Sequence, residues 1–312
     1  MAKLDERQII EIFQRSFGNK KFVSEDVETF QIGGNFGVVK TDTLVASTDV
    51  PPKMKLVDVA RKSVVASISD FAAKGVRPLY CIISISMPKS FSKSKVTQMA
   101  RGFRIASREF GFRILGGDTN QAKDLVISVT LVGMSSKITP RNGARSGDVI
   151  VVTGPFGLSS AGLEILLNGR SGARRFQNRA KKSVFHPTPR LGFGIKAAGL
   201  LSSSMDSSDG LSTCLVEMAE QSKKKFVLNL APGAEGLQEF ARANRLDFLD
   251  LIFNGGEEYE MVMTASPRNL GKLKKIAKDQ KIHLIEIGHV QTGSGVVLQK
   301  AKIRDGGWSH KF

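Results

Sequence analysis

The chain has 312 residues, 41% hydrophobic and 24% charged. This is an ordinary globular composition with length for two domains, and it excludes a disordered chain, a collagen-like fibre and a small disulfide-stapled scaffold. Lys and Arg number 46 against 29 Asp and Glu, a formal charge of +17 that points to an anionic partner or substrate without saying which. Cys81 and Cys214 are too far apart in sequence for a zinc motif and suggest a reducing compartment. The N-terminus has no signal-peptide apolar run and no apolar stretch is long enough to span a bilayer, so a soluble, cytoplasmic protein is expected.

Asp5 is placed to cap a helix that buries Ile9, Ile10, Ile12, Phe13 and Phe17 and stops at Gly18. Two short β segments, 37–40 and 43–48, are predicted around a turn at Thr41-Asp42. A helix follows over 56–74, where Val57, Ala60, Val64, Ile68 and Phe71 recur at three- and four-residue steps and Gly75 provides the stop. A strand at 79–87, a helix over 92–110 with Ser92 as N-cap, and strands at 113–115 and 125–134 complete a first α/β unit. Residues 141–148 turn polar and Gly-rich and mark a domain boundary. Beyond it, a buried strand at 149–153 runs into a Gly-rich loop, 154–162, and a helix. A basic loop over 170–182 comes next, then helices at 190–200, 211–221 and 270–279 among strands at 226–230, 259–264, 284–287 and 295–298. The fold class expected is α/β with mixed sheets in two domains, 1–140 and 141–312.

The chemistry is suggested by acidic residues beside Ser, Thr or Gly at element ends: Glu25-Asp26, Ser47-Thr48-Asp49, Ser69-Asp70, Gly117-Asp118, and Asp206 with Ser208-Asp209. Carboxylates presented from fixed scaffold positions make an oxygen-ligand site for a hard cation, Mg2+ above all, provided that they converge in space. Singly, each is an ordinary turn or cap residue. The 154–162 loop could offer backbone N–H groups to phosphate, but neither a P-loop nor a dinucleotide fingerprint is present. His186, His283, His289 and His310 show no metal spacing, and no G-x-S-x-G elbow supports serine hydrolysis. The basic runs 170–182, 223–225 and 272–281 lack interleaved aromatic residues, so nucleic-acid binding rests on net charge alone.

Taken in order, the segments SEDVE, STDV, KSVVASISDFAAKGVRP, ILGGDT, RNGARSGD, VTGPFGLSSAGLE, MDSSDGL, FNGGEEYEM and the terminal GWSHKF resemble the thiamine-monophosphate kinases, with STDVPPKM in the form of their archaeal branch. The resemblance runs from about Ser24 to the C-terminus. It implies the two-domain fold of the aminoimidazole ribonucleotide synthetase superfamily, in which the N-terminal sheets of two subunits pair in a homodimer beside the ATP cleft. It further implies direct in-line, Mg2+-dependent transfer of the ATP γ-phosphoryl group to thiamine monophosphate, giving thiamine diphosphate, with several Mg2+ ions and no dedicated catalytic base. Carried over residue by residue, Asp26, Ser47, Thr48, Asp49, Asp70, Asp118, Asp206 and Asp209 are expected at metal positions. Gly117, Asp118, Arg141 and Ser208 are expected at the nucleotide, and Glu257 and Trp308 at the thiamine moiety.

The chain departs from the family pattern at Glu25, Ser67 and Glu258. The stretch 50–56 also holds no His where bacterial members have a substrate-contacting one. The alternatives are a superfamily relative that phosphorylates another phosphomonoester or oxygen acceptor, and a non-enzymatic basic polyanion-binding protein. The latter is disfavoured by retention of the acidic series. Neither membrane nor nucleic acid is an expected partner.

Overall fold

The computed structural model describes residues 5–19 and 22–308; residues 309–312, and with them His310, lie outside the described residues. The chain opens with helix α1 (Glu6–Ser16), which Asp5 starts through a capping box with Gln8. Its apolar residues do not enter a core: Ile10, Ile12, Phe13 and Phe17 are all exposed, and the Phe13 and Phe17 rings stack on one another, 6.1 Å between centroids. The expected buried helix is therefore corrected to a capped helix on the surface.

The first sheet contains β1 (Glu28–Ile32), β2 (Asn35–Val45), β3 (Arg77–Met87), β4 (Arg113–Gln121) and β5 (Val126–Ser135), in the order β1-β2-β5-β3-β4. Only the β3–β4 pair is parallel. The turn expected at Thr41-Asp42 is absent, because β2 pairs with β5 without a break from Phe36↔Ser135 to Val45↔Val126. Hydroxyl pairs Thr41–Thr130 and Thr43–Ser128 tie these strands on the face away from the core, so the small polar residues that resemble a turn are the outer half of a strand's alternation. Residues Ala46–Asp49 then form a single helical turn, α2, where a strand end was expected. The short strand at 113–115 likewise continues through Asp118 to Gln121 as β4, an edge strand.

Helix α3 (Leu56–Lys74) has the bounds its periodicity predicts and ends at Gly75 in the left-handed conformation, φ 70°. It is the centre of the molecule. It packs on α4 (Lys93–Phe110), on β2 and β5, and on the helix Leu191–Ala197 and the strand Ser203–Asp206 of the second half, and nearly every residue from Val59 to Lys74 is buried. A helix covered all round is expected to be apolar, yet Arg61, Lys62, Ser67, Ser69, Asp70 and Lys74 lie in this stretch. Each buried polar group must find a partner, and those partners define the site.

The second sheet takes β6 (Val149–Val152), β7 (Ser203–Asp206), β8 (Lys225–Leu228), β9 (Met261–Ala265), β10 (Ile285–Gln291), β11 (Gly295–Leu298) and β12 (Ala301–Ile303), in the order β12-β11-β8-β10-β6-β9-β7. Its helices are α5 (Leu158–Leu167), α6 (Arg174–Phe185), α7 (Leu191–Ala197), α8 (Leu211–Ser222), α9 (Leu237–Asn244), α10 (Phe248–Phe253) and α11 (Leu270–Asp279). The basic stretch expected as a loop is largely α6, whose Phe176, Ala180 and Val184 are buried while its basic residues cover the wet face. The α/β architecture with two mixed sheets is the one expected.

Candidate active site

Asp70 on α3, Asp26 on the segment before β1 and Asp206 at the end of β7 are far apart in sequence and meet in space. One carboxylate oxygen of each lies within 4.8 Å of the others, and all three are buried. Asp26 is fixed by two cations. Arg141 donates from Nε at 2.8 Å and from Nη2 to Asp26 Oδ1, while Lys74 Nζ lies 2.9 Å from Oδ2. Burial opposes the Asp26 charge, but Lys74 and Arg141 hold its carboxyl below the usual range. Asp70 goes the other way: burial first, then the negative charges of Asp206, Asp42 and Asp26, push it well above the usual range, with Lys40 opposing. Burial and the Asp26 charge push Asp206 up to about 7, and Asp206 Oδ2 is buried with no hydrogen-bond partner among the described residues. Crowded carboxylates, one with a free acceptor atom in the interior, form an all-oxygen donor set suited to a hard divalent cation.

The remaining expected positions divide. Asp209 lies close enough to feel Lys40, Arg141 and Asp26, and burial pushes it up to about 6. The backbone around it gathers Glu257 and Trp308: Glu257 N–H donates to Ser208 O at 2.6 Å, and Trp308 N–H donates to Asp209 O at 3.0 Å. Glu257 is held at φ 62°, and its carboxylate pairs with the buried Lys62, 2.6 Å away. Lys62 also donates to Asp49 O at 3.0 Å, so one ammonium joins α3, the α2 turn and the Glu257 loop.

Ser47, Thr48 and Asp49 are not brought into the carboxylate cluster. Asp49 Oδ2 accepts from Val45 N–H at 2.7 Å, Thr48 Oγ1 donates to Val45 O, and Ser47 N–H is bound by Asp124. These contacts build the α2 turn. Gly117 and Asp118 stand exposed on the edge strand β4, also outside the cluster. Gly117 has a packing reason of its own, since a Cβ there would fall 1.7 Å from Ile83 O. The 154–162 loop is committed as well: Gly157 N–H and Ser159 N–H, at the start of α5, donate to Glu258 Oε1 at 2.6 and 2.9 Å. An internal carboxylate thus occupies the helix end offered to phosphate, and burial pushes Glu258 up to about 7.

Sequence reasoning missed Asp42, Lys40 and Lys74. Val38, Lys40, Asp42 and Leu44 alternate on the β2 face that meets α3, where Ser67 donates to Asp42 Oδ2. Lys40 Nζ lies 3.0 Å from Asp70 and 3.4 Å from Asp42. Two charged residues at period two between buried aliphatic ones were the available signal. Lys74 follows Asp70 by one helical turn and is fully buried, paired with Glu25 at 2.6 Å and donating to Ser204 O at 3.0 Å.

The chain matches the AIR synthase related proteins in both parts, their N-terminal domain over residues 24–135 and their C-terminal domain over residues 145–300. The thiamine-monophosphate kinase of Nitrosopumilus maritimus is 55% identical over 99% of both chains, and that of Pyrococcus horikoshii 30% identical over 99% of this chain and 97% of its own. The chain belongs to the thiamine-monophosphate kinase family. Among solved structures, AaThiL complexed with AMPPCP and TMP covers 99% of both chains with a TM-score of 0.88 at 25% identity.

In this thiamine-monophosphate kinase family member the raised carboxyls give a pH dependence whose sign can be worked out. Asp206 and Glu258, both pushed up to about 7, keep protons in the folded protein that the unfolded chain has released above about pH 4. Stability in EDTA therefore falls as pH rises from about 4 to 7; the lowered Asp26 contributes in the opposite sense only below that window. A divalent ion favours the ionised carboxylates, so the rise in Tm on adding Mg2+ is expected to be larger near pH 8 than near pH 6. Thermal melts at both pH values, with EDTA and with Mg2+, check this; an equal rise at both would contradict it.

Proposed function

We propose that the chain transfers the γ-phosphoryl group of ATP to the phosphate of thiamine monophosphate in a Mg2+-dependent reaction, giving thiamine diphosphate and ADP. The P–O bond between the γ-phosphorus and the β–γ bridging oxygen breaks, and a new one forms to an acceptor phosphate oxygen. That oxygen is already ionised near neutral pH, so no side chain has to remove a proton. The observation that carries the reading is the buried convergence of Asp26, Asp70 and Asp206 around an unpartnered carboxylate oxygen, in a chain of this family. Asp26, Asp42, Asp70 and Asp206 would hold Mg2+, which when bound offsets the repulsion between the two polyanions. Arg141 acts through Asp26, keeping that carboxylate ionised and oriented. On the acceptor side, Glu257 offers a negative charge and the half-exposed Trp308 a flat face to a cationic thiazolium ring.

The purified chain, given ATP, Mg2+ and thiamine monophosphate, is expected to form thiamine diphosphate, and none from free thiamine. ADP release with another phosphomonoester and none with thiamine monophosphate would move the reading to a different acceptor.

Two further expectations belong to this proposal. The first concerns assembly. The outer face of the first sheet exposes Phe30, Ile32, Tyr80, Ile82, Leu115 and Met134, an apolar surface of the kind that pairs subunits. A homodimer through this sheet is proposed, and Ile82→Glu is expected to give a monomer by light scattering; an unchanged mass would place the interface elsewhere. The second concerns location: none of the described helices is long and apolar enough to cross a membrane, in keeping with a cytoplasmic enzyme built of a 1–140 and a 141–312 domain.

A further inference from the structure

Two ammonium groups stand among the carboxylates, and they are held differently. Lys74 is fully buried and surrounded by three oxygens, Glu25 Oε2 at 2.6 Å, Asp26 Oδ2 at 2.9 Å and Ser204 O at 3.0 Å. Lys40 has two oxygens, Asp70 Oδ2 at 3.0 Å and Asp42 Oδ1 at 3.4 Å, and its side chain keeps a quarter of its surface exposed. It is anchored on β2 at the rim of the cluster, with a flexible stem that can swing without moving the backbone. Asp206 Oδ2, buried in the same cluster, has no hydrogen-bond partner among the described residues.

We propose that Lys40 is a tethered counter-cation that a divalent ion must displace from Asp70 and Asp42. The inference rests on the reading that this cluster takes divalent cations. Its logic is competition for the same charge: two cations a few Å apart in a weakly screened interior repel strongly, and the Asp70 oxygen that pairs with Lys40 cannot serve both. Lys74 compensates Asp26 permanently; Lys40 compensates Asp70 until a better cation arrives. The device lets a chain with four neighbouring carboxylates fold without waiting for metal, and it sets a concentration threshold for loading.

The full-length protein without nucleotide is titrated with Mn2+, free ion being read by electron paramagnetic resonance, for the wild type, Lys40→Met and Lys40→Arg. Thermal melts in EDTA and in saturating Mn2+ run alongside. Lys40→Met is expected to bind Mn2+ at least about tenfold more tightly and to melt lower in EDTA, with the loss restored by Mn2+; Lys40→Arg stays near the wild type. Equal or weaker Mn2+ binding by Lys40→Met, with the wild type binding normally, overturns this inference and leaves the cation reading standing. Binding by neither protein removes both. Should Lys40→Met fail to fold in EDTA, the wild type gives an independent answer through amine acetylation read by mass spectrometry. Lys40 labelling is expected to rise several-fold when Mg2+ is added, as its ion pairs are broken, and unchanged or reduced labelling overturns the displacement.

Discussion

Asp70→Asn is expected to lower the rate of phosphoryl transfer by about a thousandfold or more while the protein stays folded. Both halves of this expectation follow from the same crowding. Asp70 shares the cluster with Asp26 and Asp206, so its loss removes a ligand from the centre of the donor set. Its carboxyl is pushed well above the usual range by burial and by its acidic neighbours, so the buried site disfavours its charge and an isosteric uncharged amide costs the fold little. Lys40 keeps Asp42 as a partner. The turnover number and the Tm in EDTA together test this: activity should fall and Tm should hold or rise. A parallel collapse of Tm would make Asp70 structural. Asp49→Asn provides the contrast, because an amide oxygen still accepts from Val45 N–H; less than about a tenfold loss is expected there.

The largest effect on stability is expected from Arg190→Met. Arg190, at the start of α7, donates to both carboxylate oxygens of Glu260, at 2.6 Å from Nε to Oε2 and from Nη2 to Oε1. Thr153 donates to the same carboxylate at 2.6 Å, and Glu260 itself is buried. Ser207 N–H and Oγ pair with the Glu260 backbone, so this junction holds the Asp206 strand end against the Glu257–Glu260 segment. Removing the guanidinium strands a buried carboxylate, which costs about 3–5 kcal/mol. Urea unfolding should show the loss, and Arg190→Met combined with Glu260→Gln should recover much of it, since the uncompensated charge is then gone. A loss below about 1 kcal/mol would mean that the pair is solvated and carries little.

Much of the scaffold was legible. The 56–74 helix has a three- and four-residue apolar repeat and a glycine stop, and local periodicity of that strength survives into the fold; Asp70 was legible with it. The ordered series of acidic segments also pointed to the thiamine-monophosphate kinase family. What spacing could not show is convergence: Asp26, Asp70 and Asp206 come from a loop, a helix and a strand end, and only tertiary packing brings them together. The Ser47-Thr48-Asp49 segment has the composition of a metal-binding turn, and here the Thr48 and Asp49 side chains bind the Val45 backbone while Lys62 takes the Asp49 carbonyl. Asp42 was hidden because Thr-Asp-Thr reads as a turn when taken alone, whereas cross-strand hydroxyl pairs make it part of an unbroken strand. Lys74 was hidden for another reason. A lysine in the last turn of a helix is ordinarily a solvated cap, and nothing local says that this one is fully buried against Glu25 and Asp26.

Whether the buried carboxylates of α3 and β7 hold the divalent ions used in the transfer is tested most directly by a count of bound Mn2+ by electron paramagnetic resonance, in the presence of a non-hydrolysable ATP analogue, for the wild type and for Asp70→Asn/Asp206→Asn. The wild type should bind more Mn2+ than the nucleotide carries by itself, and the double variant, still folded, should retain only the nucleotide's share. Equal counts in the two proteins would contradict the claim.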